Sequence, residues 1–233
     1  MCIRDSSKIS FEIKRGSTVG IIGGTGSGKS TLINLIPRFY DVTQGSVEVD
    51  GRNVKDYSFK QLRKQIGIVP QQSILFKGTI RDNMKWENPD LSDEDIITAL
   101  KNAQAYEFVS KLPMGLDSHV EQGGKNFSGG QRQRLCIARA IAAQPKVLIL
   151  DDSFSALDFA TDAALRKALS QYTHEMTVII VTQRCSTIMN SDLILVLDDG
   201  MLAGKGTHKE LLKNCETYKE ICLSQLSESE VEV

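Results

Sequence analysis

Eight residues, Gly23-Gly24-Thr25-Gly26-Ser27-Gly28-Lys29-Ser30, follow the pattern G-x-x-x-x-G-K-[ST]. Glycines at this density let successive backbone N–H groups converge on an anion, and a helix opening at Lys29 adds the positive end of its dipole. The lysine amine suits β- and γ-phosphates, and the Ser30 hydroxyl, followed by Thr31, suits a hard cation such as Mg2+. By composition alone, a chain of this length meets the pattern by accident about 1% of the time. Here it also lies between an apolar run, Thr18–Ile22, and a helical pattern over 29–39, which is the context phosphate cradling requires. The expectation is a P-loop that holds ATP with Mg2+ through residues 23–31.

Two further clusters bear on the same chemistry. Val147-Leu148-Ile149-Leu150 is an apolar run that ends in Asp151. In a P-loop protein a carboxylate so placed supports Mg2+ beside the γ-phosphate. A second glycine-rich turn, Phe127-Ser128-Gly129-Gly130-Gln131-Arg132-Gln133-Arg134, opens a predicted helix through Ile141. Ser128 and the two glycines at that helix start make a second place where N–H groups face an anion.

That second turn resembles the signature motif of ATP-binding cassette (ABC) proteins. With the P-loop and Asp151, the chain from Ile9 to about Gln225 is similar to an ABC nucleotide-binding domain. The resemblance implies an α/β fold: a P-loop NTPase (RecA-like) core with a mostly parallel sheet, an incomplete antiparallel β portion and a helical subdomain. It divides the chain into a core lobe of about 7–71 and 143–226, a helical lobe of about 72–142, and an acidic tail, 227–233. In the family the signature reaches across a head-to-tail dimer, so Ser128, Gly129, Gly130 and Gln131 are implied contacts to a partner's nucleotide. Gln71, after Ile68-Val69-Pro70, looks like the Q-loop glutamine that meets Mg2+ and the attacking water. The run Ser155-Ala156-Leu157-Asp158 looks like the D-loop at the dimer interface. Residues 120–124 resemble the segment that meets coupling helices in ABC exporters. The implied Mg2+ ligands are Ser30, Gln71 and Asp151.

Two positions depart from the family pattern. Members that hydrolyse ATP carry a glutamate after the strand-end aspartate, where this chain has Asp152, and a histidine after the next strand, where it has Gln183. A side chain one methylene shorter stops about 1 Å or more short of the lytic water. General-base catalysis, worth about 10²–10⁴-fold, depends on that reach. An amide at 183 cannot take the protonated form of histidine. The implied catalytic positions, Asp152, Gln183 and Gln71, therefore resemble the degenerate site of a heterodimeric bacterial multidrug exporter. Its implied partners are a transmembrane domain, expected in the same parent chain, and a second ABC half-transporter with intact glutamate and histidine. The cytoplasmic face of the cell membrane is the implied location. Two other readings stay open: a regulatory ATP-binding module without turnover, and a soluble ABC ATPase outside transport.

The elements that must position these residues follow from pattern. Residues 9–13 alternate apolar and polar, as a half-buried strand does. Residues 47–49 alternate again and end in the turn Asp50-Gly51, and 66–69 read as a strand. Ser58 with Gln61, Ser92 with Asp95 and Thr207 with Glu210 carry helix-start spacing. Strands are predicted at 177–182 and 193–197, the latter closing a hairpin at Asp199-Gly200; helices are predicted at 161–170, around 185–190 and from about Lys209. The tail 227–233 is predicted disordered. Residues 1–6 show neither the earlier strand nor the adenine-stacking aromatic of the family, as expected of a chain that has lost an upstream membrane domain. Phe39 and Tyr40 read as packing residues.

Composition narrows the partners. The 233 residues are 41% hydrophobic and carry a formal charge of -1, so nothing electrostatic recruits nucleic acid. No apolar stretch approaches the ~20 residues that span a bilayer, so no direct membrane insertion is expected. Cys2, Cys136, Cys185, Cys215 and Cys222 are odd in number and scattered, which predicts neither a disulfide framework nor a zinc site. His119, His174 and His208 are isolated and read as structural or surface residues.

Overall fold

The computed structural model describes residues 9–172 and 176–226. The chain divides into two compact units, Met1–Arg63 with Thr177–Val233, and Lys64–Met176.

The first unit is built on a sheet whose central strand, Thr18–Ile22, is flanked in parallel by Thr177–Thr182 and Leu193–Asp198. Gly20 stands opposite both Ile180 and Ile194. All six residues of Thr177–Thr182 are buried, which is why these strands read as continuous apolar runs rather than alternating ones. Met201–Gly206 adds antiparallel to Leu193–Asp198 through the Asp199-Gly200 turn, both residues at positive φ. The helices Lys29–Leu35, Cys185–Ile188, His208–Asn214 and Glu216–Leu223 belong to this unit. So does the hairpin Glu48–Val49 with Arg52–Asn53, turning at Asp50-Gly51. Thr207 and Glu210 form both halves of the expected capping box.

In the second unit Ile66–Val69 pairs in parallel with Val147–Asp151, Val69 opposite Leu150. The helix Gly129–Ala142 carries Leu135, Ile137, Ala138 and Ile141 into the core. Around it stand Ile80–Met84, Asp93–Asn102 and Tyr106–Ser110, and a small ladder joins Gly78–Thr79 to His119–Val120. Phe159–Tyr172 follows the carboxylate strand. Complete capping boxes start three of these helices, Thr79 with Asp82, Ser92 with Asp95, and Ser128 with Gln131, each worth about 1 kcal/mol. Within this unit the strands at 66 and 147 pair with each other and pack with the helix between them. The result is the expected α/β fold with mostly parallel strands.

Several expectations need correcting. Residues 9–13 form no strand. Their alternation survives, with Ile9, Phe11 and Ile13 half-buried and Ser10 and Glu12 exposed, but no strand of the described residues pairs with them. Alternation states which side chains face inward; a ladder also needs a neighbouring backbone. Phe39 and Tyr40 are 49% and 58% exposed rather than packed. The Arg63 guanidinium lies 5.1 Å from the Phe39 ring centroid and 4.9 Å from that of Phe59, so cation–π stacking holds Phe39 at the surface. Cys185 and Cys222, 37 residues apart, are disulfide-bonded with their Cα atoms 5.5 Å apart. His208 is buried beside them, a convergence that spacing in the chain does not reveal. His174, residues 1–6 and the tail 227–233 lie outside the described residues. Among the described residues no helix is long and apolar enough to cross a membrane.

Candidate functional site

The expected phosphate cradle, residues 23–31, belongs to the first unit. Gly28 caps the helix Lys29–Leu35 with φ 93° and ψ 5°, a left-handed conformation that costs a side-chain-bearing residue about 1–2 kcal/mol. At Gly23 a Cβ would run into the Leu197 carbonyl and come 2.6 Å from Ser27 Oγ, so the loop closes against the neighbouring strand only with glycine there. The Ser27 N–H donates to the Gly24 carbonyl at 3.2 Å, and the Ser27 carbonyl accepts from Gly200 N–H at 3.2 Å. Lys29 Nζ donates to the carbonyls of Gly23 and Gly24, at 2.8 and 2.7 Å, and to Ser27 Oγ at 3.3 Å. The ammonium thus lies across the mouth of its own loop. Thr25 and Gly26 form the tip, and Ser30 and Thr31 open the helix.

Gln183 belongs to the same unit and is exposed. Its carbonyl accepts from Gln225 Nε2 at 2.7 Å, and Gln225 Oε1 accepts the Cys185 N–H at 2.9 Å. One side chain therefore grips the backbone on both sides of Arg184.

The carboxylates, Gln71 and the signature belong to the second unit. Asp151 ends its strand, and Asp152 follows with φ 48°, a positive value more readily taken by Asp than by most residues. Gln71 Nε2 donates to Asp152 Oδ2 at 3.5 Å, the outer limit of a hydrogen bond. Ser153 is fully buried, and its hydroxyl donates to the Val69 carbonyl at 3.1 Å, tying the carboxylate turn to the strand that precedes Gln71. Gln133 is only 2% exposed; its Nε2 donates to the Asp152 carbonyl at 3.4 Å and its Oε1 accepts from Ala156 N–H at 3.3 Å. The helix bearing the signature is thereby fastened to the turn bearing Asp152.

At the signature, Ser128 Oγ accepts from Gln131 N–H at 3.2 Å and Gln131 Oε1 accepts from Ser128 N–H at 2.9 Å. Gly129 and Gly130 form the first turn that this box anchors. Asp158 accepts from Thr161 N–H and Oγ1, at 2.9 and 2.7 Å, and these bonds hold its carboxyl below the usual range. The segment 120–124 is bonded to Leu75, whose carbonyl accepts from Gly123 N–H at 3.0 Å.

The expected residues thus fall into two groups: cradle and Gln183 in one unit; Gln71, Asp151, Asp152, the signature and Asp158 in the other. The donor atoms of Ser30, Gln71 and Asp151 are oxygens, the set that fits Mg2+. Sequence reasoning missed Gln133 and Gln225. Gln133 lies within the signature run but nothing in that run marks its grip on 152–156, Gln225 stands in no pattern at all, and each acts by spanning segments far apart in the chain.

Residues 6–155 match the family model described as ABC transporter. The chain is 48% identical over 217 residues to YfiB of Bacillus subtilis (strain 168), an uncharacterized ABC transporter ATP-binding protein, covering 93% of this chain and 38% of YfiB. It is 44% identical over 213 residues to a putative multidrug export ATP-binding/permease protein of Staphylococcus aureus, covering 91% of this chain and 37% of that protein. A bacterial Atm1-family ABC exporter solved with ATP bound superposes with a TM-score of 0.90 at 38% identity, covering 95% of this chain and 39% of that one. The chain therefore spans well under half the length of these relatives. With a family match over most of its length and the P-loop folded as a cradle, the chain belongs to the ABC transporter family.

Proposed function

We propose that this chain is the nucleotide-binding domain of an exporter, dimerising around ATP and Mg2+ and coupling ATP binding and hydrolysis to movement of small molecules through an associated transmembrane domain. Lys29 and the N–H groups of 23–31 hold the phosphates; Ser30, Gln71 and Asp151 hold Mg2+, which neutralises phosphate charge when bound. Ser128, Gly129, Gly130 and Gln131 face the nucleotide held by a second half-transporter, with Asp158 along the interface. Its place is the cytoplasmic face of a bacterial membrane.

The chain's own site binds ATP and cleaves it slowly. The observation that carries this reading is the contrast between a fully formed cradle and a short carboxylate at 152, held at its limit from Gln71. Gln183 contributes a neutral amide where a protonated imidazole would steady the γ-phosphate. The reading is tested in the transporter assembled with its partner. ATPase activity is expected to collapse when the partner's catalytic glutamate is replaced, and to change little with Asp152→Ala. Equal collapse from both replacements would sink the asymmetry, and no turnover in the complex would favour a regulatory module.

A further inference from the structure

Among the described residues, one group of cysteine and histidine side chains that could hold a metal ion meets in the core of the first unit. Cys185 opens the short helix after the strand Thr177–Thr182, His208 opens the helix His208–Asn214, and Cys222 lies in the last turn of Glu216–Leu223. Cys185 and Cys222 are 0% exposed and His208 5%. One ligand atom from each lies within 4.8 Å of the other two. The Tyr218 hydroxyl touches the group twice, 2.8 Å from His208 Nδ1 and 3.6 Å from Cys185 Sγ. The phenol is fully buried and offers the group one hydrogen-bonding oxygen.

We propose that, once Cys185 and Cys222 are reduced, the two thiolates and the His208 imidazole hold one soft divalent cation of the zinc–cadmium class, with Tyr218 as the partner that orients the imidazole. Two sulfurs and a ring nitrogen are the donor set that zinc and cadmium prefer and that Mg2+ and Ca2+ refuse. With metal–sulfur bonds of about 2.3 Å, the donors on a tetrahedral ion stand about 3.8 Å apart. The donor atoms all lie within 4.8 Å of one another, so the imidazole closes in by no more than about 1 Å while the sulfurs part as the disulfide opens. A hydrogen bond to a ligating histidine is the usual companion of such a site, and Tyr218 provides one. The chemistry balances: two molecules of a glutathione-type thiol reduce the Cys185–Cys222 disulfide, giving two protein thiols and one small disulfide. Binding then replaces two S–H bonds by two sulfur–metal bonds and releases two protons. In a reducing compartment, where a disulfide does not persist, the ion keeps these three segments joined. The inference does not depend on how the nucleotide site works.

The test uses the 233-residue chain purified throughout in such a thiol, with Cd2+ as the probe and the thiolate-to-cadmium charge-transfer band as the readout. One equivalent is expected to bind. Cys185→Ser or Cys222→Ser should abolish the band, and Tyr218→Phe should weaken binding about tenfold. The free, buried Cys136 and Cys215 serve as controls, and Cys136→Ser or Cys215→Ser should leave the band unchanged. Should a serine variant fold poorly, the unsubstituted chain gives the answer: Cd2+ should shield two of its five cysteines from alkylation, identified as Cys185 and Cys222 by peptide mapping. Absence of the band in reduced, folded protein would overturn the site. So would a band that survives both serine variants, alkylation undeterred by Cd2+, or a Cys185–Cys222 bond that persists in the thiol.

Discussion

Lengthening the side chain at 152 by one methylene, Asp152→Glu, addresses directly why this nucleotide site should be slow. The new carboxylate reaches about 1.5 Å further, one carbon–carbon bond. If reach is the whole defect, general-base catalysis returns about 10²–10⁴-fold, or about 3–5 kcal/mol of barrier at 1.36 kcal/mol per decade. The backbone opposes the change: at φ 48° a glutamate is less at ease than an aspartate, by up to about 1 kcal/mol. That cost lowers the melting temperature by about 2–4 °C for a chain of this size. It does not enter the rate, because φ is shared by ground and transition states. The assay is single-turnover phosphate release in the assembled transporter, with the partner's catalytic glutamate removed so that only this chain's site turns over. Release is expected to rise at least a hundredfold, and further with Gln183→His added, while ATP affinity stays where the untouched cradle sets it. A folded Asp152→Glu protein that binds ATP normally and releases phosphate no faster than before would refute the argument from reach.

Ser128→Ala removes the acceptor for Gln131 N–H; a loss of about 1 kcal/mol, seen as about 2–4 °C by calorimetry, is expected, together with slower turnover at the partner's site. Gln225→Ala takes away the acceptor of the Cys185 amide, so hydrogen exchange there should quicken about fivefold for each kcal/mol lost, while the amides of 18–22 keep their protection. Acid should act through the caps. Asp82 is held below its usual value by the hydroxyl and backbone N–H of Thr79, and Asp158 and Glu210 by the backbone N–H and hydroxyl of Thr161 and Thr207. Because folding depresses these values, their contribution is complete above the ordinary carboxylate values of 3.8 and 4.5 and fades as pH falls through the folded ones. Melting temperature should therefore be level from neutral pH down to about 5 and decline below. Asp158→Asn, which keeps a capping oxygen without a titrating proton, should flatten its share of that decline.

How much of this was legible in the chain depended on how local the signal is. Thr177–Thr182 announces itself because strands buried on both faces must be apolar throughout, and the helix starts at Ser92 and Thr207 because a capping box closes within four residues. The P-loop is legible for the same reason: its glycines are demanded by conformations inside eight residues. Residues 9–13 show the limit, since their alternation reports burial but not the neighbour that would make a ladder. Phe39 was misjudged because its partner is Arg63, a charge on a different segment. The grips of Gln133 on 152–156 and of Gln225 on 183–185 are invisible locally, as is the meeting of Cys185 with Cys222 and His208. Each depends on the finished fold bringing distant segments together.

The central position of Thr18–Ile22 has a consequence for how the molecule is made. Thr18 pairs with Val178, 160 residues later, and Val19 with Leu193, later still. At about 5–20 residues per second a ribosome needs roughly 10–30 s to supply the first of these neighbours. Through that interval the strand carrying the nucleotide loop is an apolar ribbon with both edges unsatisfied, while Lys64–Met176 emerges whole and can fold from contiguous chain. Nascent-chain cover by a chaperone is thus most needed by the segment proposed to bind the phosphates.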